Sequence, residues 1–321
     1  MANILITGGL GFIGRNLAIS LSKNSNNKVS IFDNSFRKNL TDLKIPKNIK
    51  IINGDIKNFE LLKRSLKNID TVFHLAFING TKYFYTQPKL VLDVGIKGTL
   101  NLFDAIEKSK VKKIILASSS EIYQTPKKIP TPEEIEGSVP DVKNPRYSYG
   151  SAKLICEILL FHYLKRKNLK KIIFRPHNIY GPAMGFEHVI PELIKNMITK
   201  SNNLKTKNIS LSIQGTGLET RSFCYIDDAV EAIKLISKKG INNEIYNIGT
   251  NEEINIKNLV YKISKKLNLN LKIVSGKLRK GSTLRRRPDI KKIKKLGHEN
   301  KFNLSLGLKP TVDWYKKFFL K

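Results

Sequence analysis

Short apolar runs recur along the chain, and amphipathic stretches lie between them. "NILITGG" reads as a short buried strand running into a glycine turn, and "FIGRNLAISLSK" follows with apolar residues at helical spacing. Further strand-like runs are "KVSIFDN", ending at Asp33, and "IKIINGDI", ending at Asp55. "IDTVFHLAF", "KKIILASSS" and "KKIIFRPHNIYG" continue the series, with helix-like segments between them that include 87–110 and 149–167. Strands alternating with helices predict an α/β fold: a Rossmann-like, doubly wound parallel sheet with helices on both faces.

Past "IYGP" the rhythm changes. Residues 183–210 read as a helix and a polar, Lys/Asn-rich connection; "RSFCYIDDAVEAIKLISKK" returns to strand and helix, and "EIYNIG" is another short strand. "IKNLVYKISKKL" has the pattern of an amphipathic helix. The expected division is a dinucleotide-binding domain over 1–180, with returning segments at about 221–249. A smaller substrate-binding lobe then takes 181–220 and 250–321. The Pro-rich stretch 126–145 is expected to be a long surface loop.

The chain has 321 residues and is 40% hydrophobic, an ordinary globular composition. No apolar run approaches the roughly 18 residues a membrane span needs, and "MANILITGG" lacks the basic start of a signal peptide. Cys156 and Cys224 lie far apart and make neither a disulfide framework nor a metal pattern, so a reducing cytoplasm and no metal are expected. The net charge of +32 raises nucleic-acid binding. Lys and Arg are nevertheless spread along the whole chain beside Asn and Ile, with no arginine-rich arm and no aromatic-interleaved RNA motif. The charge is read as solvated faces or as attraction for an anionic ligand; no nucleic-acid or membrane partner is expected. The densest basic segment, 276–295, fits either reading.

The first turn carries Gly8, Gly11 and Gly14 around Phe12 and Ile13. Glycines allow a tight turn and close approach of backbone to a pyrophosphate, and the helix they open presents free N–H groups to it. Asp33, at the end of the second run, is placed to accept hydrogen bonds from a ribose and to repel a 2′-phosphate, which favours NAD over NADP. Arg37 and Lys38 nearby weaken that preference slightly. Asn34 belongs to the same strand end. Asp55 with Ile56 either borders the adenine or caps a turn, and Leu75 and Ala76, near the end of the fourth run, are further cofactor candidates.

Tyr149 and Lys153 stand at i and i+4, one turn apart on a helix face. Lowering a tyrosine pKa from about 10 by roughly three units takes about 4 kcal/mol of preference for the phenolate. A neighbouring ammonium and an oxidised nicotinamide ring can supply it, so that Tyr149 takes a proton from a substrate hydroxyl. Alone the spacing is common. It gains weight from "ASSSEIY" at the end of the fifth run, whose hydroxyls can hold the same substrate oxygen.

With "TGGLGFIG", "GDI", "VFHLA", "SSSEIY", "YSYGSAK", "RPHNIYGP", "TRSFCYIDDAV", "NIGTNEEINI" and "RRRPDIKKIKKLG", the chain resembles extended short-chain dehydrogenase/reductases of the nucleotide-sugar epimerase/dehydratase superfamily. The resemblance covers almost all of it. It implies NAD as cofactor, Ser119 or Ser120 on the sugar O4, Tyr149 as base and Lys153 as its electrostatic partner. Asn178 would border substrate and cofactor. Arg221 with Arg286 or Arg287 would bind the substrate diphosphate, the alternative for the latter two being a solvated basic run. His177 either orients a neighbour or carries no information. A homodimer through the tyrosine helix, with its apolar "EILLFHYLKRK", is also implied, although that face equally suits packing on its own sheet.

In such enzymes a sugar C4 hydroxyl is first oxidised, and the outcomes then diverge. Glu121 is the informative residue, since its place resembles an acid found in sugar dehydratases and uronate decarboxylases rather than in 4-epimerases. Ser120 replaces the Asp of the Asp-Glu dehydratases, the Ser-Glu form resembling both another dehydratase group and the decarboxylases, and Gln124 departs from the usual glycine. The tail is decarboxylase-like, whereas "RPHNIYGP" resembles 3,5-epimerases. The broadest expectation is a nucleotide-sugar epimerase, with 4,6-dehydratase or uronate decarboxylase as the alternative. A sugar-ketone reductase and a non-catalytic dinucleotide- or RNA-binding protein are the remaining readings.

Overall fold

The structure is a computed structural model that describes residues 2–36, 45–278 and 281–320. Arg37, Lys38 and, in the basic segment, Arg279 and Lys280 lie outside the described residues. The strands are β1 (Ala2–Thr7), β2 (Asn27–Asp33), β3 (Lys50–Asn53), β4 (Thr71–His74), β5 (Lys113–Ala117), β6 (Lys170–Pro176) and β7 (Ile179–Tyr180). They continue as β8 (Asn208–Ile213), β9 (Thr220–Arg221), β10 (Cys224–Tyr225), β11 (Glu244–Ile248), β12 (Ile254–Asn255), β13 (Asn270–Ser275) and β14 (Arg285–Arg286). The helices are α1 (Phe12–Ser22), α2 (Phe59–Ser65), α3 (Thr81–Thr86), α4 (Pro88–Leu92), α5 (Gly98–Glu107) and α6 (Ser148–Ile158). After them come α7 (Val189–Lys200), α8 (Ile226–Lys239), α9 (Ile256–Lys266), α10 (Lys291–Lys295) and α11 (Leu304–Phe319).

Seven strands pair in parallel in the order β11-β6-β5-β4-β1-β2-β3. Their near-continuous Ile, Leu, Val and Phe runs suit a sheet covered on both faces, as in a Rossmann-like fold. One apolar layer joins α1 and α8 to the C-terminal elements; the other packs α5 and α6 with Phe103, Ile106 and Leu160 fully covered. The strand order reverses between β1 and β4, the place where such sheets open a crevice. Among the described residues, the other strands form three small sheets, β10-β7, β12-β9-β14 and β13-β8.

Several expected elements are interrupted. "KKIIFRPHNIYG" is two strands, because Asn178 sits at φ 42 and turns the chain out of the main sheet so that β7 pairs with β10. The 87–110 helix widens over Asp93–Lys97, where Gly95 packs on Phe77 so closely that a Cβ would meet the ring at 2.3 Å. The 149–167 helix ends at Ile158 and continues as a wider turn over Leu159–Tyr163. The third strand stops at Asn53, leaving Asp55 in the turn. The 126–145 stretch is tied down at several points rather than lying wholly on the surface. The Thr131 N–H donates to the Arg287 carbonyl (2.9 Å), the Asp289 N–H donates to the Thr131 carbonyl (2.8 Å), and Glu133 is buried.

Candidate active site

A cleft of about 1250 Å³ opens along the C-terminal ends of the central strands and extends toward β8, β9 and β14. The expected cofactor residues Gly8, Gly11, Phe12, Ile13, Gly14, Asp33, Asn34, Asp55, Ile56, Leu75 and Ala76 all line it. Gly8 has φ +69, and a Cβ there would lie 2.6 Å from the Ala76 backbone; a Cβ on Gly14 would lie 2.4 Å from the Gly8 carbonyl. Only glycine permits these approaches. Gly11 caps α1 without a side-chain bond, whereas Asn58, Asn255 and Asn303 cap α2, α9 and α11 through their own side chains. The α1 N-terminus therefore keeps N–H groups for an anion. Asp33 accepts the Leu10 N–H (3.0 Å) and the Ser35 N–H (2.7 Å). Burial raises its pKa, and the two backbone donors oppose that rise. Asp55 both edges the cleft and caps its own turn, accepting the Lys57 N–H at 2.8 Å. This cradle fits a dinucleotide: a close-approach glycine turn, an open helix N-terminus and a strand-end carboxylate in one groove.

Deeper in the cleft, Tyr149 is 5% exposed, stacked on Phe84 at 4.8 Å between ring centroids and edge-on to Phe77 at 5.3 Å. The Lys153 Nζ lies 5.9 Å from the Tyr149 ring centroid and 3.8 Å from that of Phe77, and donates to the Ala117 carbonyl at 2.6 Å. Burial pushes Lys153 down to about 8, with Cys156 and Glu157 opposing the fall. Ser119 and Ser120 follow β5, and the Ser119 hydroxyl accepts the Glu121 N–H at 3.1 Å. Tyr149, Lys153, Ser119, Ser120 and Glu121 thus share one wall of the cleft.

Glu121 is not a free acid. Its carboxylate is bonded to Arg286 Nη1 and has Arg146 at 4.0 Å. Burial alone would raise its pKa, but Arg286 in contact, with Arg146 and Arg221 beyond, outweighs burial and holds the carboxyl below the usual value. Arg221 lines the cleft with its guanidinium on the Thr220, Thr283 and Leu284 carbonyls. Burial lowers its pKa to about 10. Asn178 also lines the cleft, its side chain donating to the Ser222 carbonyl at 3.0 Å. Arg287 is the exception among the expected ligands: it is not in the cleft wall and faces Glu253 at 4.0 Å. Consecutive residues of a strand point to opposite sides, so Arg286 turns inward while Arg285, doubly bonded to Glu253, and Arg287 turn away.

Behind the wall lies a polar network that the sequence reading did not assemble. Glu157 is bidentate to Arg175, whose Nη1 also donates to the Tyr123 hydroxyl and the Glu133 carbonyl, both at 2.7 Å. Tyr123 donates to Asn247 Oδ1 at 2.9 Å, and His177 Nε2 lies 3.1 Å from the same oxygen. Burial takes His177 down to about 3, so a neutral ring orients Asn247. His74, also held near 3 by burial, spans Thr7 (2.7 Å) and Thr99 (2.9 Å) as a neutral clip. Phe77, Phe84 and Arg146 belong to the site and were missed. Arg146 stands immediately before the "YSYGSAK" stretch that supplied Tyr149, but a lone arginine beside a proline carries no signal of its own. Among the described residues no group of His, Cys, Asp and Glu could hold a metal ion, and no helix is long and apolar enough to cross a membrane.

A sequence model described as "NAD dependent epimerase/dehydratase family" matches residues 4–249. A dTDP-D-glucose 4,6-dehydratase of Dictyostelium discoideum is 35% identical over 264 residues, covering 78% of this chain and 59% of that protein. A UDP-N-acetyl-alpha-D-glucosaminuronate decarboxylase of Bacillus cytotoxicus is 32% identical over 327 residues, covering 98% and 97%. Among solved structures, UDP-glucose 4-epimerase of Thermotoga maritima with UDP-glucose superposes with a TM-score of 0.85 at 30% identity, over 99% of both chains. The dTDP-glucose 4,6-dehydratase DesIV of Streptomyces venezuelae, with NAD and TYD bound, gives 0.84 at 25% identity over 98% and 97%.

Proposed function

The chain belongs to the NAD-dependent epimerase/dehydratase family, and on that premise we propose that it is a nucleotide-sugar epimerase acting through transient oxidation of a sugar hydroxyl, at C4. The observation that carries this reading is the proton inventory of the cleft. Arg286 holds Glu121 in its charged form, and Ser120 stands where the Asp-Glu dehydratases carry a second acid. That leaves Tyr149, supported by Lys153 and Ser119, as the group placed to move a proton. NAD, held by the glycine turn and Asp33, would supply a hydride acceptor for the sugar carbon and return the hydride to the opposite face. Tyr149 takes the hydroxyl proton as the ketone forms and gives it back as the alcohol is restored. Lys153 favours the phenolate electrostatically. Ser119 offers a hydroxyl to the same oxygen. Arg221 and Arg286 suit the substrate diphosphate.

The second reading is decarboxylation of a nucleotide uronate. It is favoured by the convergence of Arg286 and Arg146 on Glu121, a place where a substrate carboxylate would also find cationic partners. Loss of CO₂ from a 4-keto uronate needs no enzymic base. The test is incubation with UDP-, GDP-, CDP- and dTDP-sugars and uronates in D₂O. An epimer with no deuterium at C5 and no released CO₂ supports the first reading. CO₂ release, with deuterium entering C5 as the resulting enolate is protonated from solvent, supports the second, and deuterium at C5 without CO₂ points to dehydration or C3/C5 chemistry. The reading extends to a homodimer through α6 and the turn after it, where Ile155, Ile158 and Tyr163 are exposed at 38%, 53% and 45%. A monomer by light scattering would remove that extension.

A further inference from the structure

Thr283 precedes β14 and is buried. Its hydroxyl is engaged on both sides, donating to the Gln124 carbonyl at 3.0 Å and accepting from Arg286 Nη2 at 3.0 Å. Arg286 Nη1 in turn bonds the Glu121 carboxylate. The Gln124 side-chain amide reaches back to the Glu121 carbonyl at 2.6 Å. These bonds close a ring, Glu121–Gln124–Thr283–Arg286, that joins the turn after β5 to β14.

Two features suggest that the ring is held rather than incidental. Gln124 stands at φ 48 and ψ −107, a conformation that favours glycine, and a glycine would lack the amide that reaches Glu121. Arg286 Nε is buried with no hydrogen-bond partner, so the Thr283 and Glu121 bonds orient its guanidinium. The Thr283 carbonyl also receives Arg221 Nη2 at 2.6 Å, which puts two of the cleft arginines on this one residue.

We infer that Thr283 is a positioning residue: its hydroxyl, oriented by the Gln124 carbonyl, seats Arg286 against Glu121 and so fixes both groups in the cleft. The functional half of this inference rests on the reading of Glu121 and Arg286 as site groups. The charged and titratable groups that face Glu121 are Arg286 from β14, Arg146 from the turn before α6, Arg221 from β9 and, after β6, His177.

Thr283→Val removes the hydroxyl at nearly constant volume, and Thr283→Ser keeps it. Carbon-13 NMR of Glu-labelled protein, with the Glu121 signal assigned through Glu121→Gln, follows the carboxyl without substrate. In Thr283→Val it should titrate at higher pH than in the wild type, and in Thr283→Ser it should return. Turnover of the nucleotide sugar should fall about tenfold or more in kcat/KM, the acid limb of the pH profile should move toward neutrality, and both should recover in the serine variant. Thr283→Ala gives the same titration shift should valine strain the site. An unchanged Glu121 titration in the valine and alanine variants overturns the inference, as does a serine variant no better than valine. A shifted titration with unchanged turnover leaves the positioning standing and removes Glu121 and Arg286 from the reaction instead.

Discussion

Glu157 and Arg175 form a two-bond ion pair, at 2.9 and 2.7 Å, one helical turn beyond Lys153, with side chains only 5% and 6% exposed. The pair ties α6 to β6 and places a carboxylate on the same helix as Tyr149 and Lys153. Of the charged groups acting on Lys153, Glu157 supports its protonated form.

Glu157→Gln is expected to destabilise the protein by about 3–5 kcal/mol, because it leaves the Arg175 charge buried and unpaired. Replacing both partners, with Glu157→Leu and Arg175→Met, should cost less than either single change. Urea unfolding reads both results. A single variant as stable as the wild type would show that the pair is not held dry.

Lys153 titrates near 8 in this structure, far below its ordinary 10.5, because it is buried. The sign follows from linkage. The native state binds fewer protons than the unfolded chain between about pH 8 and 10.5, so the cost of burying the ammonium is fully present below pH 8 and fades as pH rises toward 10.5. The shift corresponds to about 3 kcal/mol at pH 7, to order of magnitude. Lys153→Met should therefore unfold at a higher temperature than the wild type at pH 7, with the advantage shrinking by pH 10, while turnover is lost. In the wild type kcat/KM should fall as pH rises through about 8. Glu157→Gln should move that limb lower still. A limb unmoved in that variant would detach Lys153 from the pair.

Tyr149→Phe keeps the ring that packs on Phe77 and Phe84 and removes only the hydroxyl. Turnover should drop by about 10²–10⁴ while NAD affinity and melting temperature stay close to wild type. Near-normal activity would remove Tyr149 from proton transfer.

Asp33→Ala removes a carboxylate that the ribose would use and that also holds the Leu10 and Ser35 amides. NAD binding measured by calorimetry should weaken about 10- to 100-fold, the worth of losing a hydrogen bond to a charged group. Unchanged affinity would place the ribose elsewhere.

What was legible in the sequence is what short-range chemistry writes there. Gly8 follows a strand, Gly14 opens the next helix, Asp33 ends a strand, and Tyr149 and Lys153 keep helical spacing, so their places in the cleft could be read from neighbours in the chain. Phe77, Arg146 and Thr283 could not. Each matters for what lies across the fold, such as the Tyr149 ring, the Glu121 carboxylate or the Gln124 carbonyl. Arg287 shows the limit in a single step, because a run of arginines does not tell which of them a strand turns inward. The spacing of Glu157 after Lys153 was visible, but its partner Arg175 belongs to another element, and only the sheet brings them together.

The strand β11 enters the central sheet beside β6 only after the chain has passed through β7 to β10. No single cut therefore separates the large sheet from the small ones. A truncation after residue 180 would strip the sheet of an edge strand and of α8, which packs beside α1. A graft of another relative's segments outside the large sheet would need two splices, around 181–220 and after 250, each rejoined in register. The two parts are interleaved along the chain as well as in space, and a swap of one segment alone would leave the cleft with walls from two different proteins.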